Sequence, residues 1–426
     1  MTSSRYDELS QCTGATPLAG IRVIEFSHLV MGPSCGMVLA DLGADVIKVE
    51  PTPEGDNSRR LTGYGIGFFP TFNRNKRSIC VDVKHPAGLT LVRTLIETAD
   101  VLLENFRPGA MDKLGLGYAP LAELNSRLIY CACKGFLRGP YEHRAALDEV
   151  VQMMGGLAYM TGFAGKPMRA GASVNDIMGG VFGALAVLAA LRARDRTGKG
   201  SLVQSGLFET NMIFVAQHMA RAAIEGRDPP PFGDPTTGRP WPVYDVFDTA
   251  DPGAQVFVGV VTDTQWRDFC RAFELQDLLA DPALATGSAR TEARPRILSR
   301  VRSLFQTIPK AALMARLETL GLPFAPIARP ADLFEDPHLL ASGGLLPIDL
   351  TRTEQGPARS TARLPALPVT LDGARTGLAR QPPKLGEHTA EVARLAGLTD
   401  SRIQALIAEG VLVGTTSEVA ADSSRR

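Results

Sequence analysis

The sequence predicts an α/β protein whose larger part is a doubly wound parallel sheet. Two observations carry this expectation. Short β-branched runs recur at the spacing of βαβ units, and helical stretches of ten or more residues separate them. A strand, a crossover helix and a second strand within about 30 residues form a parallel pair, and repeating the unit places helices on both faces of one sheet.

The elements follow in order. IRVIEF (21–26) reads as a buried strand, and Gly32-Pro33 after it opens a helix. ADVIKVE (44–50) is the second strand of that unit. The pattern continues with strand 77–83, helix 86–100, strand 101–105, a helical stretch near 109–125 and strand 127–133. The uncharged run 177–191 is shorter than the ~20 residues of a membrane span and rich in Gly and Ala, so it reads as a buried helix. LVQSGLFET then turns from strand into a long helix. Residues 227–242, dense in proline, have the composition of a linker or an ordered surface loop. Two further strands and two helical patterns, near 264–275 and 309–320, mark a smaller domain at 226–330. Residues 1–16 and 413–426 are polar and read as flexible ends.

Lys+Arg and Asp+Glu are equal at 45 each, which argues against a nucleic-acid or membrane partner but leaves room for a local basic pocket. The N-terminus lacks a basic stretch followed by an apolar run, and the six cysteines (12, 35, 80, 131, 133 and 270) are scattered, so reduced thiols and a cytoplasmic location are expected. No G-x-G-x-x-G, P-loop or G-x-S-x-G motif is present. Neither a nicotinamide or flavin cofactor nor a serine nucleophile is therefore expected. Cys131 and Cys133 share one face of a strand but lack a second ligand pair, so no metal site is expected.

Four candidates remain. The first βα turn, SHLVMGP, sits at a helix N-terminus, where free N–H groups and the helix dipole favour anions. Arg74, Lys76, Arg77 and Lys84 cluster around one strand, either as a phosphate pocket or as a solvated charged turn. Asn105, Phe106 and Arg107 lie just past another strand, where ligands of doubly wound sheets bind. Asp176, within AGASVNDIMGGVFGAL, is either the cap of the following helix or a nucleophile that forms a covalent acyl intermediate. The small residues after it, Gly179, Gly180, Gly183 and Ala184, admit a second backbone or a bulky ligand.

The segments PLAGIRVIEFSHLVMGPSCGMVLADLGADVIKVEP, NRNKRSICVDVK, VLLENFRPGAMDKLGLGY, TGKGSLVQSGLFET and PPKLGEHTAEVARLAGL together resemble the family III CoA-transferases, colinearly from about residue 17 to about 398. The resemblance implies a Rossmann-like large domain built from residues 17–225 and 331–412, with a smaller α+β domain inserted between them, and an interlocked homodimer. It implies CoA transfer from an acyl-CoA to a carboxylic acid through an aspartyl anhydride and an aspartyl-CoA thioester, with Asp176 as the nucleophile. Coenzyme A would enter as substrate, held by Val30, Met31, Val81, Lys84, Asn105, Phe106, Arg107, Lys113, Ala145 and Asp148.

Three departures stand out. Val30 replaces a glutamine often found in the family's first turn, Pro51 replaces a basic residue, and GVVTDTQW stands where a glycine-rich loop occurs in formyl-CoA transferase. The related α-methylacyl-CoA racemases use a His-Asp pair where this chain has Leu147-Asp148, and leucine cannot move a proton. Nearby His143 is the candidate replacement base for that chemistry. A non-catalytic CoA-binding protein is the third reading, and retention of Asp176 argues against it.

Overall fold

The structure, a computed structural model, describes residues 16–233, 241–352 and 359–414. The described chain divides into two compact units, one reaching Gly233 and resuming at Asp336, the other spanning 234–335. Of the flexible ends expected at 1–16 and 413–426, residues 1–15 and 415–426 lie outside the described residues, as do Cys12 and part of the proline-rich stretch (234–240), whereas Val413 is paired in a strand against Cys80.

In the first unit the chain runs β1 (Arg22–Phe26), α1 (Met31–Asp41), β2 (Asp45–Glu50), α2 (Phe68–Phe72), β3 (Lys76–Val81), α3 (Pro86–Glu97) and β4 (Val101–Glu104). It continues through α4 (Ala110–Lys113), α5 (Tyr118–Leu124), β5 (Ile129–Lys134), α6 (Asp148–Met154), α7 (Leu157–Thr161), α8 (Val174–Thr197), β6 (Ser201–Gly206) and α9 (Leu207–Glu225). The six strands are parallel in the order β3-β2-β1-β4-β5-β6, and Leu412–Val413 adds an antiparallel edge against β3. The strand order reverses direction between β1 and β4. That is the switch point at which ligands of such sheets bind, beyond the strands' carboxyl ends.

The strands are apolar on both faces because helices cover both. Ile24, Ile47, Ile79 and Leu102 pack with α3 on one side, and Val23, Val46, Val101 and Ile129 pack with α1 and α8 on the other. The helical stretch expected near 109–125 is two short helices, α4 and α5. Gly115, at φ +69°, breaks it in a conformation that favours glycine.

α8 corrects the expectation of a wholly buried helix. Gly179, Gly180 and Gly183 are buried, whereas Ile177, Val181 and Leu185 are exposed. The glycines serve the close approach of α1: a Cβ on Gly180 would fall 2.5 Å from the Met31 carbonyl oxygen and 2.7 Å from Ser34 Cβ. Among the described residues α8 alone is long and apolar enough to cross a membrane, and one of its faces packs on α1, β5 and β6.

The second unit has an antiparallel sheet, β7 (Val243–Asp248), β8 (Gln255–Val260) and β9 (Phe324–Pro326), with helices that include Asp263–Ala272 and Arg294–Phe305. Phe247, Phe269, Phe273 and Phe305 form its aromatic centre.

Candidate active site

Asp176 sits in the first turn of α8, yet it is not the cap. Ser173, the residue before the helix, makes no side-chain cap bond. The free N–H groups of Asn175 and Asp176 instead donate to Asp148 Oδ2, at 2.8 and 3.1 Å. Asp148 thus caps α8 from the neighbouring helix α6, and its other oxygen accepts a bond from Gln152 Nε2. Gln152 Oε1 accepts the Ala170 N–H at 2.8 Å and ties down the chain that leads into α8. These N–H groups are occupied by Asp148 and do not face an oxyanion formed beside Asp176.

The consequence for Asp176 is electrostatic. Burial, followed by the like charges of Asp148 and Glu149, pushes its carboxyl up to about 7. Desolvation and two acidic neighbours outweigh the dipole.

The first turn is shaped by Asn105. Its Oδ1 accepts the His28 N–H at 3.0 Å and its Nδ2 donates to the His28 carbonyl at 2.9 Å, joining the ends of β1 and β4 across the switch point. Gly32 is required there, since a Cβ would fall 2.5 Å from Ser27 Cβ and 2.9 Å from the Asn105 side chain. The ring of His28 stacks on Phe106 at 5.3 Å, and Leu29 takes φ +63°, a strained conformation for a branched side chain. Lys134 donates to the Phe106 carbonyl at 3.0 Å and pairs with Glu104 at 2.5 Å, fixing the second wall.

The remaining sequence-derived residues separate into two groups. Lys84, Arg107 and Lys113 are exposed and carry no ion pair among the described residues, and Ala145 is exposed in the loop before α6. Val30, Met31 and Val81 are buried, Val81 within the α3-side core and Met31 against Gly179. The amide of Asn105 and the carboxylate of Asp148 are engaged within the protein. Leu147 is exposed, and His143 lies beside Glu142 on the surface.

The cluster at 74–77 is neither a phosphate pocket nor a solvated turn. Arg74 pairs with Asp41 at 2.7 Å, Arg77 with Asp45 and with Glu391, and Lys76 with Glu25 at 2.8 Å. The sequence reading missed Lys48, which is wholly buried. It pairs with Asp56 at 2.8 Å and donates to the Ser27 carbonyl at 2.7 Å. Lys76 likewise donates to the Pro33 carbonyl at 3.0 Å, so the two lysines hold both ends of the first turn from below.

A second omission is the apolar cavity of about 270 Å³ beside the start of α8, lined by Tyr64, Phe68, Phe72, Ser173 and Ile177 among others. Tyr64 Oη lies 3.2 Å from Ser173 Oγ and accepts a bond from Arg169 Nη2 at 2.9 Å. An aromatic run, GYGIGFFPTF, was the available signal for it.

The model of CoA-transferase family III matches residues 18–389. A succinate–glutarate CoA-transferase of Agrobacterium fabrum is 36% identical over 391 residues, covering 88% of this chain and 94% of that one. An acyl-CoA transferase of Fusarium pseudograminearum is 33% identical over 411 residues, 93% and 88% of the two chains. Among solved structures, a CAIB/BAIF family protein from Brucella suis superposes with a TM-score of 0.77 at 33% identity, covering 90% of this chain and all of the other.

Proposed function

Since the chain belongs to CoA-transferase family III, we propose that Asp176 is the nucleophile that carries CoA from an acyl-CoA to a free carboxylate. The observation that carries the proposal is its isolation. The helix-capping task falls to Asp148, and Asp176 is left as a half-buried carboxylate beside acidic neighbours, next in the chain to Ile177, which lines an apolar cavity. A carboxylate whose basicity is raised in this way is a stronger nucleophile once ionised.

In the proposed sequence a carboxylate oxygen of Asp176 attacks the thioester carbonyl and expels CoA thiolate, leaving a mixed anhydride. The thiolate attacks the aspartyl carbonyl, releasing the donor acid and forming an aspartyl-CoA thioester. The acceptor carboxylate attacks that thioester, and the returning thiolate takes the new acyl group from the second anhydride, restoring Asp176. The exposed cations Lys84, Arg107 and Lys113 are the groups available to the CoA phosphates, and Phe106 offers a flat ring near them in sequence. The cavity beside α8 suits the acyl part, and the relative named for succinate and glutarate makes short dicarboxylates the first acceptors to screen.

The proposed working state is a homodimer of interlocked chains, with the smaller domain inserted in each. The exposed apolar side chains Leu185, Ile213, Met219 and Ile224 support a further covering partner. Light scattering coupled to gel filtration reports the assembly.

Incubation with succinyl-CoA followed by hydroxylamine is expected to leave a hydroxamate on Asp176 and nowhere else. Transfer that persists in Asp176→Ala would end the nucleophile proposal. Deuterium entry at the α-carbon of a 2-methylacyl-CoA with no acceptor acid present would replace it with racemase chemistry.

A further inference from the structure

Three thiols meet inside the core beneath α8. Cys35 on α1 and Cys131 and Cys133 on β5 bring their Sγ atoms within 4.8 Å of one another, and all three side chains are buried. The strand alternation puts Cys131 and Cys133 on the face turned to α1 and α8, where Cys35 supplies the third sulfur. All three sulfurs face the backbone of Gly183 on α8. A Cβ there would lie 3.2 Å from Cys35 Sγ, 3.3 Å from Cys133 Sγ and 3.7 Å from Cys131 Sγ. Glycine therefore leaves open the point on which the thiols converge.

Three sulfurs bound at about 2.3 Å to one pyramidal centre stand roughly 3.4 Å apart, so the thiols, which lie within 4.8 Å of one another, draw together on binding. The surroundings then select the central atom by charge. The cluster sits among Met31, Leu39, Ala184 and Val187. The adjacent ionic groups, Lys134 and Glu104, neutralise each other at 2.5 Å. A tris-thiolate of zinc(II) retains one negative charge and one of copper(I) retains two, and an uncompensated buried charge is strongly disfavoured. A trivalent centre leaves none.

We propose that Cys35, Cys131 and Cys133 form a trithiol site that captures arsenic(III), entering as arsenous acid. Three As–O bonds break and three As–S bonds form. Each thiol proton leaves with a hydroxide as water, three waters in all, and no electron changes hands. The adduct would tie α1 to β5 beneath the helix that carries Asp176. The site does not depend on the CoA-transfer reading.

The test is arsenite binding to the full-length protein, reduced with a phosphine and freed of it. After gel filtration, one arsenic per chain is expected by elemental analysis, with sulfur-to-arsenic charge-transfer absorption and an unfolding midpoint that rises with arsenite concentration. Cys133→Ala and Cys35→Ala should each weaken binding at least tenfold. Gly183→Ala, which keeps every thiol and fills their meeting point, should weaken it as well. Cys80→Ser and Cys270→Ser, at buried cysteines outside the cluster, should leave uptake unchanged. Unchanged stoichiometry and affinity in both Cys133→Ala and Cys35→Ala would overturn the site. Retention of zinc(II) or copper(I) in preference to arsenic would overturn the charge argument behind it.

Discussion

Glu25, wholly buried, and Asp176, half-buried, are carboxylates of the same unit, and their surroundings are opposite. Glu25 lies between Lys76 and Lys48, accepts the Ser27 hydroxyl at 2.6 Å and has no exposure at all. Asp176 has acidic neighbours, Asp148 and Glu149, and its carboxyl is pushed up to about 7. A buried charge with partners holds the chain in one shape. A half-buried charge beside its own kind is held away from its resting state, which is the condition for reactivity. The comparison predicts that removing one acid costs activity and removing the other costs the fold.

Asp176→Asn sharpens this first. CoA transfer should fall by at least ~10³-fold, because no other group supplies the acyl acceptor. The variant should also be more stable than the parent above pH 7. The folded carboxyl titrates above its unfolded value, so between about pH 4 and 7 the native state binds more protons than the unfolded chain. Native stability therefore declines as pH rises through that window, and the asparagine does not pay it. Thermal unfolding at pH 5 and pH 8 measures the difference, and a loss of stability at pH 8 would break the comparison.

Lys76→Met tests the other member. It leaves Glu25 buried with one partner fewer, and burial already lowers the lysine to about 8, so its charge depends on that carboxylate. Unfolding in urea should show a loss of about 3–5 kcal/mol, with activity lost only in proportion to the unfolded fraction. Glu25→Gln should behave alike.

How far these roles were legible depends on the distance between partners in sequence. The parallel sheet was legible because β-branched runs such as IRVIEF and VLLEN carry their own signal, and the terminal reversal against β3 was not. Arg74, Lys76 and Arg77 looked like surface charge because Asp41, Glu25 and Asp45 lie 33, 51 and 32 residues away. Asp176 was visible, but the cap that frees it, Asp148, sits 28 residues earlier on another helix. Cys35 lies far from Cys131 and Cys133 in the chain, so only the fold joins them.

Asp148→Asn separates the two effects that one carboxylate exerts. Removing its charge removes the leading like-charge contribution at Asp176, so the acid limb of kcat/KM should move to lower pH. The amide oxygen still accepts from α8 but carries no charge at its N-terminus, and stability should fall by about 0.5 kcal/mol. An unmoved limb would mean that the charge of Asp148 does not set the titration of Asp176.

The smallest effect concerns cations rather than acids, and it extends the same comparison. Lys84 is exposed and unpaired among the described residues, whereas Arg77, seven positions earlier, is buried between Asp45 and Glu391. If exposed charge is what meets the CoA phosphates, Lys84→Ala should raise KM for acyl-CoA about tenfold, the cost of one charge-assisted contact, with kcat unchanged. The rise should shrink at high salt, because screening weakens the lysine's contact in the parent as well. Arg77→Ala should do the reverse, lowering the unfolding midpoint and leaving KM in the folded fraction unchanged. A KM effect in Arg77→Ala equal to that in Lys84→Ala would show that the buried cations reach the ligand after all, and the division between structural and ligand-facing charge would fail.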